Sequence, residues 1–282
     1  MFHTFGEESM LARPGTHPRS ARTTAAALVL GCLAAWHVPA AAQPPPEGSD
    51  DHYAGSQIAK HEGAEPVNPA RVHADVPTVD GIDVSSHQGV VDWPGWWQRG
   101  KRFAYVKATE GTGYRNGEFA RQYDGAYQVG MVRGAYHFAL PDRSDGATQA
   151  NFFADNGGGW SRDGRTLPGV LDVEYNPYGV DTCYGLSAHA MVAWIRAFSD
   201  TYHARTGRWP VIYTSTQWWD HCTGRAGDFS GTNPLWVARY ATVVGPLPHR
   251  WSFHTIWQFT SSPIDQNKFN GGWDRLVALA NG

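Results

Sequence analysis

From Val79 onward the chain repeats one pattern: a short, unbroken run of apolar, β-favouring residues, then a helical pattern or a Gly/Pro-rich loop, then another run. The runs occupy 81–85, 103–108, 131–138, 169–173, 211–214, 235–238 and 255–259, with a short candidate at 263–265. A strand that is apolar on both faces must be covered on both sides, which is the condition of a parallel sheet wrapped in helices. Helical spacing is clear in the earlier intervals. Phe119, Tyr123 and Ala126 repeat before Gly130, and Ser144 is placed to cap a helix over 144–155. Ser187 likewise precedes Met191, Trp194, Ile195, Phe198 and Tyr202, and Gly207 closes that segment. The connections 215–233 and 242–252 are irregular, the first with several Gly and the second rich in Pro. The expected fold is α/β, an irregular TIM-like β/α barrel of about eight strands whose last strands lack regular outer helices.

The stretch ahead of this pattern reads differently. Arg13, Arg19 and Arg22 precede an apolar run over 25–36, and Pro39-Ala40-Ala41-Ala42 follows. That order is a secretory signal peptide, with cleavage expected after Ala42. The run is too short and too Ala-rich to span a membrane, so no stable membrane insertion is expected. Val29-Leu30-Gly31-Cys32 offers a lipoprotein signal as the alternative, although apolar residues continue past Cys32. Residues 43–78 open with Gln43-Pro44-Pro45-Pro46-Glu47-Gly48 and stay polar. Such a segment buries too little apolar surface to offset its ordering entropy and is read as a disordered linker, with His52, His61 and His73 solvated. The organisation is then 1–42 signal peptide, 43–78 linker and 79–282 barrel, in a protein secreted from the cell or held at its wall. Cys32 leaves with the signal. Cys183 and Cys222 have one intramolecular pairing open to them, and in an oxidising compartment a disulfide is expected, two free buried thiols being the alternative.

In a β/α barrel the strands' C-terminal ends converge on the active site. Asp83 lies on the first run, Lys107 and Glu110 follow the second, and His137 is on the third. Asp172 and Glu174 end the fourth, Tyr213 is on the fifth, Arg239 ends the sixth, Gln258 is near the end of the seventh and Asp265 ends the last. Asp172 and Glu174 are two apart, so both point to one face of a strand. Crowding two carboxyls separates their pKa values and keeps a proton on the pair, which gives an acid beside a base, as glycosidic cleavage needs. The other readings of the pair are a salt bridge to Lys107 or Arg239, or ligands for a divalent cation. The aromatic content of 13 Trp, 12 Tyr and 12 Phe suits sugar stacking as well as core packing, and Trp160, Tyr175, Trp218 and Trp219 fall on predicted loops. A net charge of −3 without a basic run argues against nucleic acid as a partner.

Several segments, in order, resemble one enzyme family. Gly81-Ile82-Asp83-Val84-Ser85-Ser86-His87-Gln88-Gly89 is similar to the opening motif of the glycoside hydrolase family 25 muramidases, the Chalaropsis-type lysozymes. Phe103-Ala104-Tyr105-Val106-Lys107-Ala108-Thr109-Glu110-Gly111 and Arg133-Gly134-Ala135-Tyr136-His137-Phe138 resemble the second and third motifs. Leu171-Asp172-Val173-Glu174 resembles the catalytic strand. Trp257-Gln258 and Asp265-Gln266-Asn267-Lys268-Phe269-Asn270-Gly271 resemble the end. The similarity to Streptomyces members extends to 156–162 and to the positions of Cys183 and Cys222. The opening motif often carries His-Trp-Gln where this chain has Ser86-His87-Gln88, which leaves the acid in place. The resemblance implies hydrolysis of the β-1,4 bond between N-acetylmuramic acid and N-acetylglucosamine in bacterial peptidoglycan, with retention, by a monomer that needs no cofactor or metal. It makes Glu174 the general acid and Asp172 its partner, which either orients the substrate's 2-acetamido group or attacks directly. Asp83, Asp265, Tyr213, Lys107, His137 and Gln258 become supporting residues. Two other functions fit parts of the pattern: a silent wall-binding module, and a metal-dependent polysaccharide deacetylase using Asp83, His137 and Asp172.

Overall fold

The computed structural model describes residues 52–64, 67–72 and 76–282. The expected signal peptide, its lipoprotein alternative at Cys32 and His73 lie outside the described residues. In chain order the elements are α1 (Ser56–Glu62), β1 (Thr78–Val84), α2 (Trp93–Gln98), β2 (Phe103–Glu110), the two-residue β3 (Tyr114–Arg115), α3 (Phe119–Gln128), β4 (Val132–Phe138), α4 (Gly146–Asp155) and β5 (Val170–Asp172). There follow α5 (Ala188–Thr206), β6 (Val211–Thr214), α6 (Thr216–Cys222), β7 (Leu235–Ala238), β8 (Ile256–Thr260), β9 (Gln266–Asn270) and α7 (Trp273–Asn281). The sheet runs β1-β9-β8-β7-β6-β5-β4-β2-β3, and a further β1–β2 pairing closes eight of its strands into a barrel.

The seven apolar runs are the seven parallel strands. Those on β1 and β2 face outward through Ile82, Val84, Ala104 and Val106, which pack with Trp93, Ala126 and Met131 under α2 and α3. The inward phase is aromatic. Tyr105 on β2 stacks on Trp236 of β7, 5.0 Å between centroids, and Tyr213 meets the same indole edge-on at 4.8 Å. Since β2 and β7 stand on opposite sides of the closed sheet, these contacts fill the barrel. Glycine makes room for one of these rings: a Cβ at Gly134 would lie 2.2 Å from Tyr105 Cε1. The ring has little freedom to retreat, because its hydroxyl donates to the Pro168 carbonyl at 3.1 Å.

The eighth strand departs from expectation. Residues 263–265 form no strand, with a bend over 262–264, and β9 lies just after them, antiparallel to both β1 and β8. Its polar residues hid it, and they are matched inside the fold: Asn267 serves Asp83 and Trp236, and Lys268 pairs with Asp80 at 2.9 Å. Asp145, not Ser144, caps α4, because its two oxygens accept from both the Thr148 N–H and its hydroxyl. Between β6 and β9 the outer layer is reduced to the seven-residue α6, with no helix between β7 and β8. Cys183 and Cys222 are disulfide-bonded.

The linker expectation fails for residues 52–62. Ser56–Glu62 is helical, and His52, Ala54, Gln57 and Ile58 are buried against the barrel mouth. What orders this stretch is hydrogen bonding to buried polar groups rather than apolar periodicity, so hydrophobicity alone gave no sign of it.

Two outcomes test this architecture. Gly134→Ala overpacks the barrel interior and costs about 1–3 kcal/mol, read as a lowered thermal midpoint. Reducing Cys183–Cys222 frees a loop spanning a sequence separation of 39, and denaturant unfolding should show a loss of about 3–4 kcal/mol.

Candidate active site

Seven polar positions converge where the parallel strands end. Asp83 is the penultimate residue of β1, Lys107 and Glu110 lie towards the end of β2, Asp172 ends β5, and Glu174 follows two residues later. Tyr213 and Gln258 come from β6 and β8. Because β9 runs antiparallel, its start, with Asp265 immediately before it, comes to the same end of the barrel.

Gln258 ties the floor together. Its amide nitrogen donates to Asp83 Oδ2 at 3.0 Å, and its oxygen accepts from the Tyr213 and Tyr240 hydroxyls at 2.7 and 2.9 Å. Asn267 donates to the same Asp83 oxygen at 2.7 Å. Lys107, itself buried, pairs with Glu110 rather than with Asp172 or Glu174. Burial alone would raise Glu110, but the Lys107 ammonium and the His52 ring outweigh it and hold the carboxyl at about 2.

The remaining four carboxyls form no ion pair among the described residues, so the salt-bridge reading of Asp172 and Glu174 does not apply. Burial pushes Asp83 up to about 7 against the pull of the Asn267 and Gln258 amides. Asp265 is raised by burial and by the charges of Asp83 and Glu174. Asp172 is raised by burial first and by Glu174 next, with Lys107 opposing. Glu174 is lifted to about 7 by burial, and three backbone N–H groups work against that rise. Both oxygens of Asp172, and one each of Asp83 and Asp265, are buried without a hydrogen-bonding partner outside this carboxyl cluster. A group of acids so placed keeps a proton near neutrality and can give it to a bound oxygen.

His137 is not among them. Its ring hydrogen-bonds Thr109 at 2.7 Å and Gln149 of α4 at 2.9 Å, and it packs on Phe153 and Phe198 of the outer helices. Desolvation there lowers it to about 4. A cation set of Asp83, His137 and Asp172 is therefore not assembled. The inward residues of β4 are Gly134 and Tyr136, one step out of phase with His137, and the small Gly134 was the signal for that phase. Tyr136 and Tyr240 were missed by the sequence reading. Tyr240 lies two and four residues past Ala238 and Trp236, so strand alternation from the inward Trp236 points to it.

The expected stacking residues divide. Tyr175 is at the mouth. Trp218 and Trp219 are core: one donates to the Thr182 carbonyl at 3.3 Å, and the other packs edge-on against Trp251 at 5.0 Å and Phe229 at 5.6 Å. As residues of a short helix beside the disulfide, they cover the barrel wall. Trp160 lies at the opposite end, its indole N–H bonded to the Ala280 carbonyl and its ring beneath Arg208.

The profile of Glycosyl hydrolases family 25 matches residues 82–267, a span that contains all of these acids. The chain is 45% identical to Lysozyme M1 of Streptomyces globisporus, over 97% of this chain and 98% of that protein. It is 49% identical to the N,O-diacetylmuramidase of Chalaropsis sp, over 73% of this chain and 100% of that protein. The solved structure of a muramidase from Acremonium alcalophilum superposes with a TM-score of 0.71 at 56% identity, covering 72% of this chain and 99% of that one. On sequence, fold and site, the chain belongs to glycosyl hydrolases family 25.

Proposed function

We propose that this glycosidase is a secreted lysozyme, an N-acetylmuramidase that hydrolyses the β-1,4 bond between N-acetylmuramic acid and N-acetylglucosamine in peptidoglycan. The observation that carries the reading is the Asp172–Glu174 pair, buried at the mouth beside Tyr175, where burial raises both carboxyls above the ordinary carboxylate range. Glu174 is the general acid that protonates the leaving oxygen. Asp172 orients the substrate's 2-acetamido group, whose oxygen attacks the anomeric carbon, and water then opens that intermediate with net retention. Asp83, Asp265, Gln258 and Tyr213 keep the floor of the cleft polar and fixed in position, so charge developing on the sugar meets oriented dipoles. Lys107 belongs to the same mouth, where its pairing with Glu110 holds one positive charge near Asp172. Residues 1–42, read as an export signal, deliver the enzyme as a monomer to where its substrate is. Among the described residues, no helix is long and apolar enough to cross a membrane.

Glu174→Gln should lower the initial rate of peptidoglycan solubilisation by about 10²–10⁴-fold. Undiminished solubilisation by that variant would sink the assignment. Mass spectrometry of the products should show reducing-end N-acetylmuramic acid; reducing-end N-acetylglucosamine would identify a glucosaminidase instead. Because the acid form does the work, kcat/KM on soluble wall fragments should be full at low pH on this limb and fall as pH rises through the pKa of Glu174, which burial raises above the ordinary carboxylate range. A rate that climbs through the same interval would assign Glu174 the role of base.

A further inference from the structure

The group assigned the proton is fully buried, at 0% exposure, and what covers it is the chain itself. The amides of Gly55, Gln57 and Ile58, at the start of α1, donate to the two Glu174 oxygens at 2.8, 2.8 and 2.9 Å. The rest of the cleft is occupied by the same segment. Lys107 donates to the His52 carbonyl, Gln258 to that of Ala54 at 3.0 Å, and Tyr240 to that of Gly55 at 3.2 Å. The His61 ring lies on the Tyr175 face, 4.2 Å between centroids and 14° from parallel. Glu62 takes the hydroxyls of Tyr175 and Ser215. The peptide thus meets the acid, the floor and the aromatic platform, the three features a glycan would need.

We infer that residues 52–62 are an autoinhibitory plug, seated in the glycan cleft in place of substrate and holding the enzyme inactive until it is displaced. The inference rests on the muramidase reading of that cleft. The donor pattern fits a pseudo-substrate: backbone N–H and C=O groups stand where acetamido and hydroxyl groups of a sugar would bind. Its tether gives the plug a local concentration that a free glycan must overcome. The fit depends on Gly55, whose φ of +94° is left-handed and whose Cβ, were there one, would lie 2.0 Å from the Tyr240 hydroxyl and 2.7 Å from that of Tyr213. A larger residue at this position disturbs the plug and leaves every barrel residue unchanged.

The test compares full-length parent, Gly55→Val, Ile58→Asp and Lys60→Ala on purified peptidoglycan. Ile58→Asp puts an unpaired carboxylate into the apolar contact that the buried Ile58 makes with the barrel, whereas Lys60 is exposed and serves as the control. The first two variants should solubilise wall at least about tenfold faster than parent, Lys60→Ala should match parent, and Glu174→Gln built into Gly55→Val should remove the gain. Parent activity equal to that of both open variants overturns the inference. Amide hydrogen exchange at Gly55, Gln57 and Ile58 provides a readout independent of turnover. Protection in parent that is lost in Gly55→Val supports a docked plug, and open-chain exchange rates in parent overturn it. If no form of the protein releases wall fragments, the muramidase reading falls, and the exchange rates still decide whether the segment occupies the cleft.

Discussion

Withdrawing acids from water sets the terms for the mouth of this barrel. Asp83, Asp172, Glu174 and Asp265 sit at or near zero exposure within one cluster, and the nearby ammonium of Lys107 is already committed to Glu110. Four ionised carboxylates could not coexist there without a large desolvation cost, so protons stay on the cluster and amides from Gln258 and Asn267 hold what charge remains. The same condition that strains the fold supplies the chemistry: a carboxyl that releases its proton reluctantly is a useful acid at neutral pH. Everything beneath it serves to keep that end rigid. Tyr105, Tyr213 and Trp236 fill the barrel, so the strand ends cannot collapse towards one another.

The seven parallel strands and the helices α3, α4 and α5 were legible because their apolar residues recur with the periods that burial imposes. Ser187 and Gly207 bracket α5 as their cap chemistry requires, and the first seven apolar runs each found their strand. The failures share a cause. β9 and α1 are held by polar contacts made far along the chain, between Asn267 and Asp83 in one case and between backbone amides and Glu174 in the other. No local window of sequence contains both partners.

The site itself was read in part. The acids were found because a buried carboxylate at a strand end is chemically conspicuous. His137 was misplaced by one residue of strand phase, and on a β-strand one residue is the difference between the interior and the outer helix layer. Trp218 and Trp219 show the limit of reading loops from composition: a short amphipathic turn was hidden among glycines, and its tryptophans were needed to seal the wall where regular helices are missing.

The placement of β9 also orders events in time. Synthesis proceeds from the N-terminus, yet β1 cannot join β8 until the strand between them, the last of the barrel in chain order, has been inserted. Until then the nascent chain holds an open sheet with two unsatisfied edges, and the carboxyl cluster lacks both Asp265 and the Asn267 amide. A hydrolase of this topology is thus assembled all at once, after translation of the barrel is essentially finished, and a truncated product has no working centre.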